Sequence, residues 1–91
     1  MHWRLFADLA EAAETREVSL DLDAEATVDD ALETLVERHP ELREHVYEDG
    51  RLAGHLTVLR NGSNIETEAD GLATKITPDD ELALFPPISG G

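Results

Sequence analysis

Cysteine is absent from the 91 residues. Disulfides, thiolate metal sites and thiol catalysis are therefore excluded together, although the redox compartment stays open. Lysine is nearly absent as well: six of the seven basic residues are arginine, and Lys75 is the single lysine. Long apolar runs are also missing. No stretch approaches the roughly 20 residues that span a bilayer. The opening MHWRLFADLAEAAE is broken by charges and lacks the apolar centre of a signal peptide. These absences lead us to expect a cytoplasmic protein with no membrane contact. A chain this short makes one domain at most and buries a limited core, which argues against a deep enzyme cleft.

What the sequence does have is acid. Seven basic residues against 21 acidic ones give a net charge of −14. Self-repulsion of that size opposes compaction at low ionic strength, and it argues against nucleic-acid binding, because phosphates need lysine and arginine. Acid excess with scarce lysine resembles proteins of salt-loving cells, where 1 M salt shortens the Debye length to about 3 Å. The alternative is an acidic protein of an ordinary cytosol that meets basic partners.

The apolar pattern alternates between two periods. Residues 2–7, HWRLFA, read as a strand with Trp3, Leu5 and Ala7 on one face and His2, Arg4 and Phe6 on the other. Residues 8–14 are alanine-rich and suit a short helix. EVSLDL (17–22) alternates with Val18, Leu20 and Leu22 inward, as in a strand solvated on one side. TVDDALETLVERHP (27–40) is the clearest helix. Thr27 caps it with Asp30 three residues on, and Val28, Ala31, Leu32, Leu35 and Val36 make its apolar face. Pro40 disfavours helical geometry at His39 and ends it. Residues 41–47 suit one or two further turns with Leu42 and Val46 buried, and 48–50 a turn.

HLTVLR (55–60) alternates again, and Asn61-Gly62 is a hairpin signal. Residues 63–78 are poorly periodic, with Ile65, Leu72 and Ile76 as expected core contacts. A turn at 78–80 leads to ELALF (81–85), with Leu82 and Leu84 on one face and Ala83 and Phe85 on the other. Pro86 and Pro87 cannot donate ladder bonds, so the sheet ends there. The order strand, strand, helix, strand, weak segment, strand predicts an α+β fold: a mixed sheet of four to five strands with one main helix across one face. If the helix covers Leu5, Val58, Leu82 and Leu84, then Phe6, Leu59 and Phe85 share the opposite face. Three large apolar side chains there form a partner-binding patch, unless one of them folds back beneath residues 63–76.

The chain closes on LFPPISGG. Two prolines hold the exit extended, and Ile88, Ser89, Gly90 and Gly91 follow. We therefore divide the chain into a folded domain, 1–87, and a flexible tail, 88–91. A side-chain-free arm can enter a narrow channel and approach a cofactor closely. Its carboxylate is a poor acyl donor until attack on the α-phosphate of ATP converts it to an acyl-adenylate. The other reading is a non-covalent binding module whose glycines are a frayed end.

WRLFADLA, TVDDALETL, VLRNG and above all DELALFPPISGG carry a resemblance over nearly the whole chain. They resemble the ubiquitin-like β-grasp proteins of the sulfur-carrier and small-modifier type: the small subunit of molybdopterin synthase (MoaD), the thiamine sulfur carrier (ThiS) and, most closely, the small archaeal modifier proteins. The resemblance implies that the first and last strands are parallel neighbours. It also implies that an E1-like enzyme uses ATP to adenylate the carboxylate of Gly91. The product is then a thiocarboxylate that donates sulfur to molybdopterin or tRNA, or an isopeptide bond to a lysine of a target protein. The chain is then a co-substrate with no catalytic residue, bound metal or bound cofactor of its own. Implied partners are the E1-like enzyme, a MoaE-like large subunit, the target proteins and a JAMM-type deconjugating protease. Phe6 and Phe85 match positions where the small subunit of molybdopterin synthase meets its large subunit. Lys75 is the one internal acceptor for self-conjugation, against the plainer reading of a surface lysine.

Other constellations carry less. His39 and His45 are six apart around a proline, which is poor metal spacing. Asp21, Asp23 and Glu25 hint at calcium, but Ala26 stands where an EF-hand loop needs glycine and Leu32 where it needs glutamate. The acidic pairs Asp29/Asp30 and Asp79/Asp80 read as helix and turn starts kept in place by solvation.

Overall fold

The computed structural model describes residues 1–49, 51–52 and 56–86. Ile88, Ser89, Gly90 and Gly91, and with them the boundary drawn at Pro87, lie outside the described residues, as do Gly50 of the expected turn and His55. The first half of the chain contains β1 (His2–Leu5), α1 (Ala7–Ala13), β2 (Glu17–Ser19), α2 (Val28–Arg38), a 3-10 turn (Pro40–Leu42) and α3 (Arg43–Val46). The second half contains β3 (Tyr47–Glu48), β4 (Arg51–Leu52), β5 (Thr57–Arg60), β6 (Ser63–Asn64), α4 (Ile65–Glu68), a 3-10 turn (Gly71–Ala73) and β7 (Glu81–Phe85).

Five strands form one sheet in the order β2-β1-β7-β5-β6, and β3 and β4 pair separately. β1 is antiparallel to β2 and parallel to β7, with Leu5 opposite Leu84 at the end of the shared ladder. β5 is antiparallel to both of its neighbours. The first and last strands are thus adjacent at the centre of a mixed sheet.

α2 forms where its local chemistry predicts. Asp30's amide donates to the Thr27 hydroxyl (3.3 Å), and Thr27's amide donates to the Asp30 carboxylate (3.0 Å), so two helix-end donors are satisfied reciprocally. The helix ends at His39, directly before Pro40. Its buried stripe is Val28, Ala31, Leu32, Leu35 and Val36. This stripe meets Trp3, Leu5, Val58, Leu82 and Leu84, all at most 2% exposed. The Trp3 indole N–H donates to the Ala31 carbonyl (3.1 Å), tying sheet to helix. One main helix across one face of a mixed five-stranded sheet is the β-grasp arrangement.

Three expectations about strand extent change, one being that the strand expected over 55–60 is observed from Thr57 onwards, with Leu56 outside it. The first strand stops at Leu5, and Ala7 belongs to α1 and is exposed rather than inward. Ala7 has φ 53°, which turns the chain off the sheet, and Phe6's carbonyl accepts Leu9's amide (3.1 Å). The alanine-rich run then propagates a helix, for which alanine has the best propensity. β2 stops at Ser19, opposite His2; Leu20's amide makes one more bond, to the Met1 carbonyl (3.0 Å). Leu20 is still buried, while Leu22 lies beyond the ladder and is half-buried against the core.

Asn61-Gly62 makes the expected hairpin. Its φ values of 49° and 88° are the left-handed pair a type I′ turn requires, and Arg60 and Ser63 pair across it. The weakly periodic segment holds β6, α4 and the second 3-10 turn. Ile65 and Ile76 are buried there, and Leu72 is half-buried against the core. Amide bonds from Val28 to Thr74 (2.9 Å) and from Ile76 to Ala26 (3.1 Å) fasten it beside α2. Among the described residues no helix is long and apolar enough to cross a membrane.

Candidate docking face and tail root

Strand parity divides β7 cleanly. Leu82 and Leu84 are fully buried beneath α2, whereas Glu81, Ala83 and Phe85 alternate to the opposite face, where Glu81 and Phe85 are half-buried and the small Ala83 is buried. In the ladder, Ala83 stands between Arg4 on β1 and Leu59 on β5, and Phe85 stands opposite Thr57.

The face has a polar end and an apolar end. Glu81 lies at the start of β7, with His2 Nε2 at 3.0 Å from its Oε2 and Arg4 Nη1 at 3.8 Å from its Oε1. At the far end Phe6 and Phe85 stack, with ring centroids 4.3 Å apart and planes 10° from parallel. The Arg4 guanidinium sits 5.7 Å from the Phe6 centroid, joining the two ends. Phe6, Phe85 and Leu59 are all half-buried. The structure thus brings Phe6 and Phe85 into contact and puts Leu59 one row away, opposite Ala83 on one side and Asn64 on the other. Phe85 is the last strand residue, so the chain leaves the sheet towards Pro86 beside the aromatic pair.

Lys75 lies elsewhere, bridged to Thr27 at the start of α2. Its side chain is 71% exposed, and Nζ is 3.0 Å from a Glu25 carboxylate that is itself 85% exposed. An ion pair this solvated holds the amine weakly. His39 and His45 go to different carboxylates, Glu41 (3.4 Å) and Asp8 (3.9 Å).

Asp80 corrects the solvation reading of the Asp79/Asp80 pair, for it is only 5% exposed. Its Oδ2 accepts from Arg60 Nε (2.9 Å) and the Thr77 amide (2.8 Å), and its Oδ1 from Asn61 Nδ2 (2.9 Å). Burial by itself pushes the carboxyl pKa up. The hydrogen bonds from Asn61, Thr77 and Arg60 overcome that and hold it at about 2. Asn61 completes the knot by accepting Glu81's amide (3.0 Å) on its side chain and donating its own amide to Glu81's carbonyl (2.8 Å). The knot locks the β5–β6 turn to the start of β7. A signal for it was present in the sequence: the alternation that turns Val58 inward also turns Arg60 inward, and a cation at such a position needs a buried acid.

Comparison with known proteins extends this picture. The profile of the ThiS family matches residues 3–91. Small archaeal modifier protein 1 of Haloferax volcanii is 53% identical over 92 residues, spanning the whole of both chains. The crystal structure of that species' SAMP1 superposes with a TM-score of 0.91 at 51% identity, covering 100% of this chain and 98% of the other. At 19% identity the fold alone is shared with the Amycolatopsis orientalis BexX/CysO complex, where the TM-score is 0.82 and coverage is 99% and 98%. With a β-grasp sheet, an uncovered aromatic face at the tail root and a full-length match of this strength, the chain belongs to the ThiS family of ubiquitin-like sulfur carriers and, within it, to the small archaeal modifier proteins.

Proposed function

We propose that the chain is a protein co-substrate whose Gly91 carboxylate is activated by an E1-like enzyme of the cytoplasm. A carboxylate oxygen attacks the α-phosphorus of ATP, the bond to the β,γ-pyrophosphate breaks, and an acyl-adenylate of Gly91 forms. ATP binds to the enzyme, and this chain contributes no catalytic group. Hydrosulfide then attacks the acyl carbon, AMP departs, a proton is released and a thiocarboxylate remains for sulfur transfer to molybdopterin or tRNA. Alternatively, a target lysine amine attacks the acyl carbon, AMP departs, a proton is released and an isopeptide bond remains. The observation that carries this reading is the match to Small archaeal modifier protein 1 over the whole of both chains.

The uncovered face suits the docking step. An aromatic pair with Leu59 nearby offers apolar area, and the aromatic rings lie where the chain leaves for its tail. A partner gripping that face holds the root of Ile88, Ser89, Gly90 and Gly91. The same face is offered to a MoaE-like large subunit, and a JAMM-type protease would reverse conjugation. Lys75, exposed and weakly paired, is the one internal lysine through which one copy receives another.

The test is an intact-mass measurement after incubation with the cognate E1-like enzyme, ATP, sulfide and a lysine-bearing target protein. Replacement of one carboxylate oxygen by sulfur marks the carrier form, and heavier species that survive boiling and reducing agent mark conjugates. Deleting Gly90 and Gly91 abolishes both on this reading. Neither product from the intact chain, or full function from the truncated one, overturns it.

A further inference from the structure

The aromatic pair does more than offer apolar area. The β1–β7 ladder ends at Leu5 opposite Leu84, so Phe85 has a ladder partner on one side alone, Thr57 of β5. On the β1 side the chain turns away at Ala7, and Phe6's carbonyl is given to Leu9's amide inside α1. The next residue, Pro86, has no N–H to donate. Where the backbone ladder runs out, the Phe6 ring lies flat on the Phe85 ring, 4.3 Å away and within 10° of parallel. Arg4 lies over the Phe6 ring, 5.7 Å from its centroid, and comes within 3.8 Å of Glu81 of β7.

We propose that Phe6 is a positioning residue for the activation step: its ring replaces the missing ladder partner, fixes Phe85, and so sets the direction in which the tail carrying Gly91 leaves the domain. This rests on the carrier reading above and deepens it. Four residues lie between Pro86 and Gly91, and every degree of freedom at the root widens the volume the carboxylate searches. Holding the root shortens that search, and such pre-organisation appears in the turnover of the bound complex. An aromatic pair of this geometry corresponds to about two- to tenfold in the population of the held state.

The experiment compares wild type, Phe6→Leu and Phe6→Tyr. Leucine keeps an apolar side chain for docking but removes the stack, and tyrosine keeps both. The readouts are ATP–pyrophosphate exchange by the cognate E1-like enzyme with the carrier as varied substrate, and the backbone order parameter at the Phe85 amide in the free protein. Circular dichroism melts confirm that all three are folded. We expect kcat to fall about three- to tenfold in F6L and to be restored in F6Y. The Phe85 order parameter should drop in F6L alone, from about 0.85 towards 0.6. An unchanged kcat in F6L, whatever happens to KM, makes Phe6 a docking residue only and overturns the proposal. Equal losses in both variants, or Phe85 order indifferent to the ring, also overturn it. If wild type supports no exchange, the carrier reading fails, while the order parameter still decides whether the ring holds the root.

Discussion

Acid stability should turn on Asp80. Its hydrogen bonds hold the carboxyl at about 2 in the folded protein, below the ordinary aspartate value of 3.8. A difference of this size corresponds to about 2 kcal/mol of folding stability at neutral pH. Because the folded pKa is the lower one, this contribution is complete above about pH 4 and is lost as pH falls towards 2. Asp80→Asn keeps the shape but cannot titrate. Asp80→Ala also strands the Arg60 guanidinium, the Asn61 side-chain amide and the Thr77 N–H. These donors are only partly shielded from water, so losing their shared acceptor costs about 1–3 kcal/mol, or a Tm lower by roughly 5–20 °C in a domain of this size. The assay is urea unfolding of wild type and D80N at pH 6, 4, 3 and 2 in high salt, so that the many surface carboxylates cancel in the difference. The stability gap between the two should narrow by about 2 kcal/mol on acidification, mostly below pH 4. A gap that stays constant from pH 6 to 2 refutes the buried, hydrogen-bonded carboxylate as the source of the effect.

Three further outcomes are expected. Thr27→Ala removes the hydroxyl that receives Asp30's amide and should destabilise the protein by about 1 kcal/mol, read from urea unfolding at pH 7; no change would mean that solvent caps α2 equally well. Gly62→Ala meets no atom within 4 Å, so its cost comes only from φ of 88°. It should lower stability by about 1–2 kcal/mol, and a neutral result would contradict the left-handed turn. With net charge −14, raising KCl from about 0.1 to 1 M shortens the Debye length from about 10 to 3 Å; the Tm should rise, and a flat melting curve series would remove charge repulsion as a destabilising force.

How far the fold could be read in advance depended on how local its cause was. The α2 cap, the stop at Pro40, the Asn61-Gly62 turn and the alternation of β7 each rest on residues a few positions apart, and each was legible. Ala7 was not, because period-2 alternation continues through Ala7, the very residue whose positive φ turns the chain off the sheet. The knot at Asp80 joins residues some 20 positions apart, and within its own neighbourhood Asp80 looks like one more acid in a turn.

The candidate face divides in the same way. Alternation within each segment sets Phe6, Leu59 and Phe85 against the inward residues of their own neighbourhoods, and they share a face on the condition that one helix covers Leu5, Val58, Leu82 and Leu84 together. The surplus of acid, the single lysine and the glycine-ended tail are read directly from the chain. The stacking of Phe6 on Phe85, with Leu59 a row away, arises from packing between distant segments. That contact requires β1 and β7 to lie side by side in a fixed parallel register although some 80 residues separate them. Register between such distant strands is set by the whole buried set, with Trp3, Leu5, Leu82 and Leu84 locking together under α2. No short stretch of the chain contains that information.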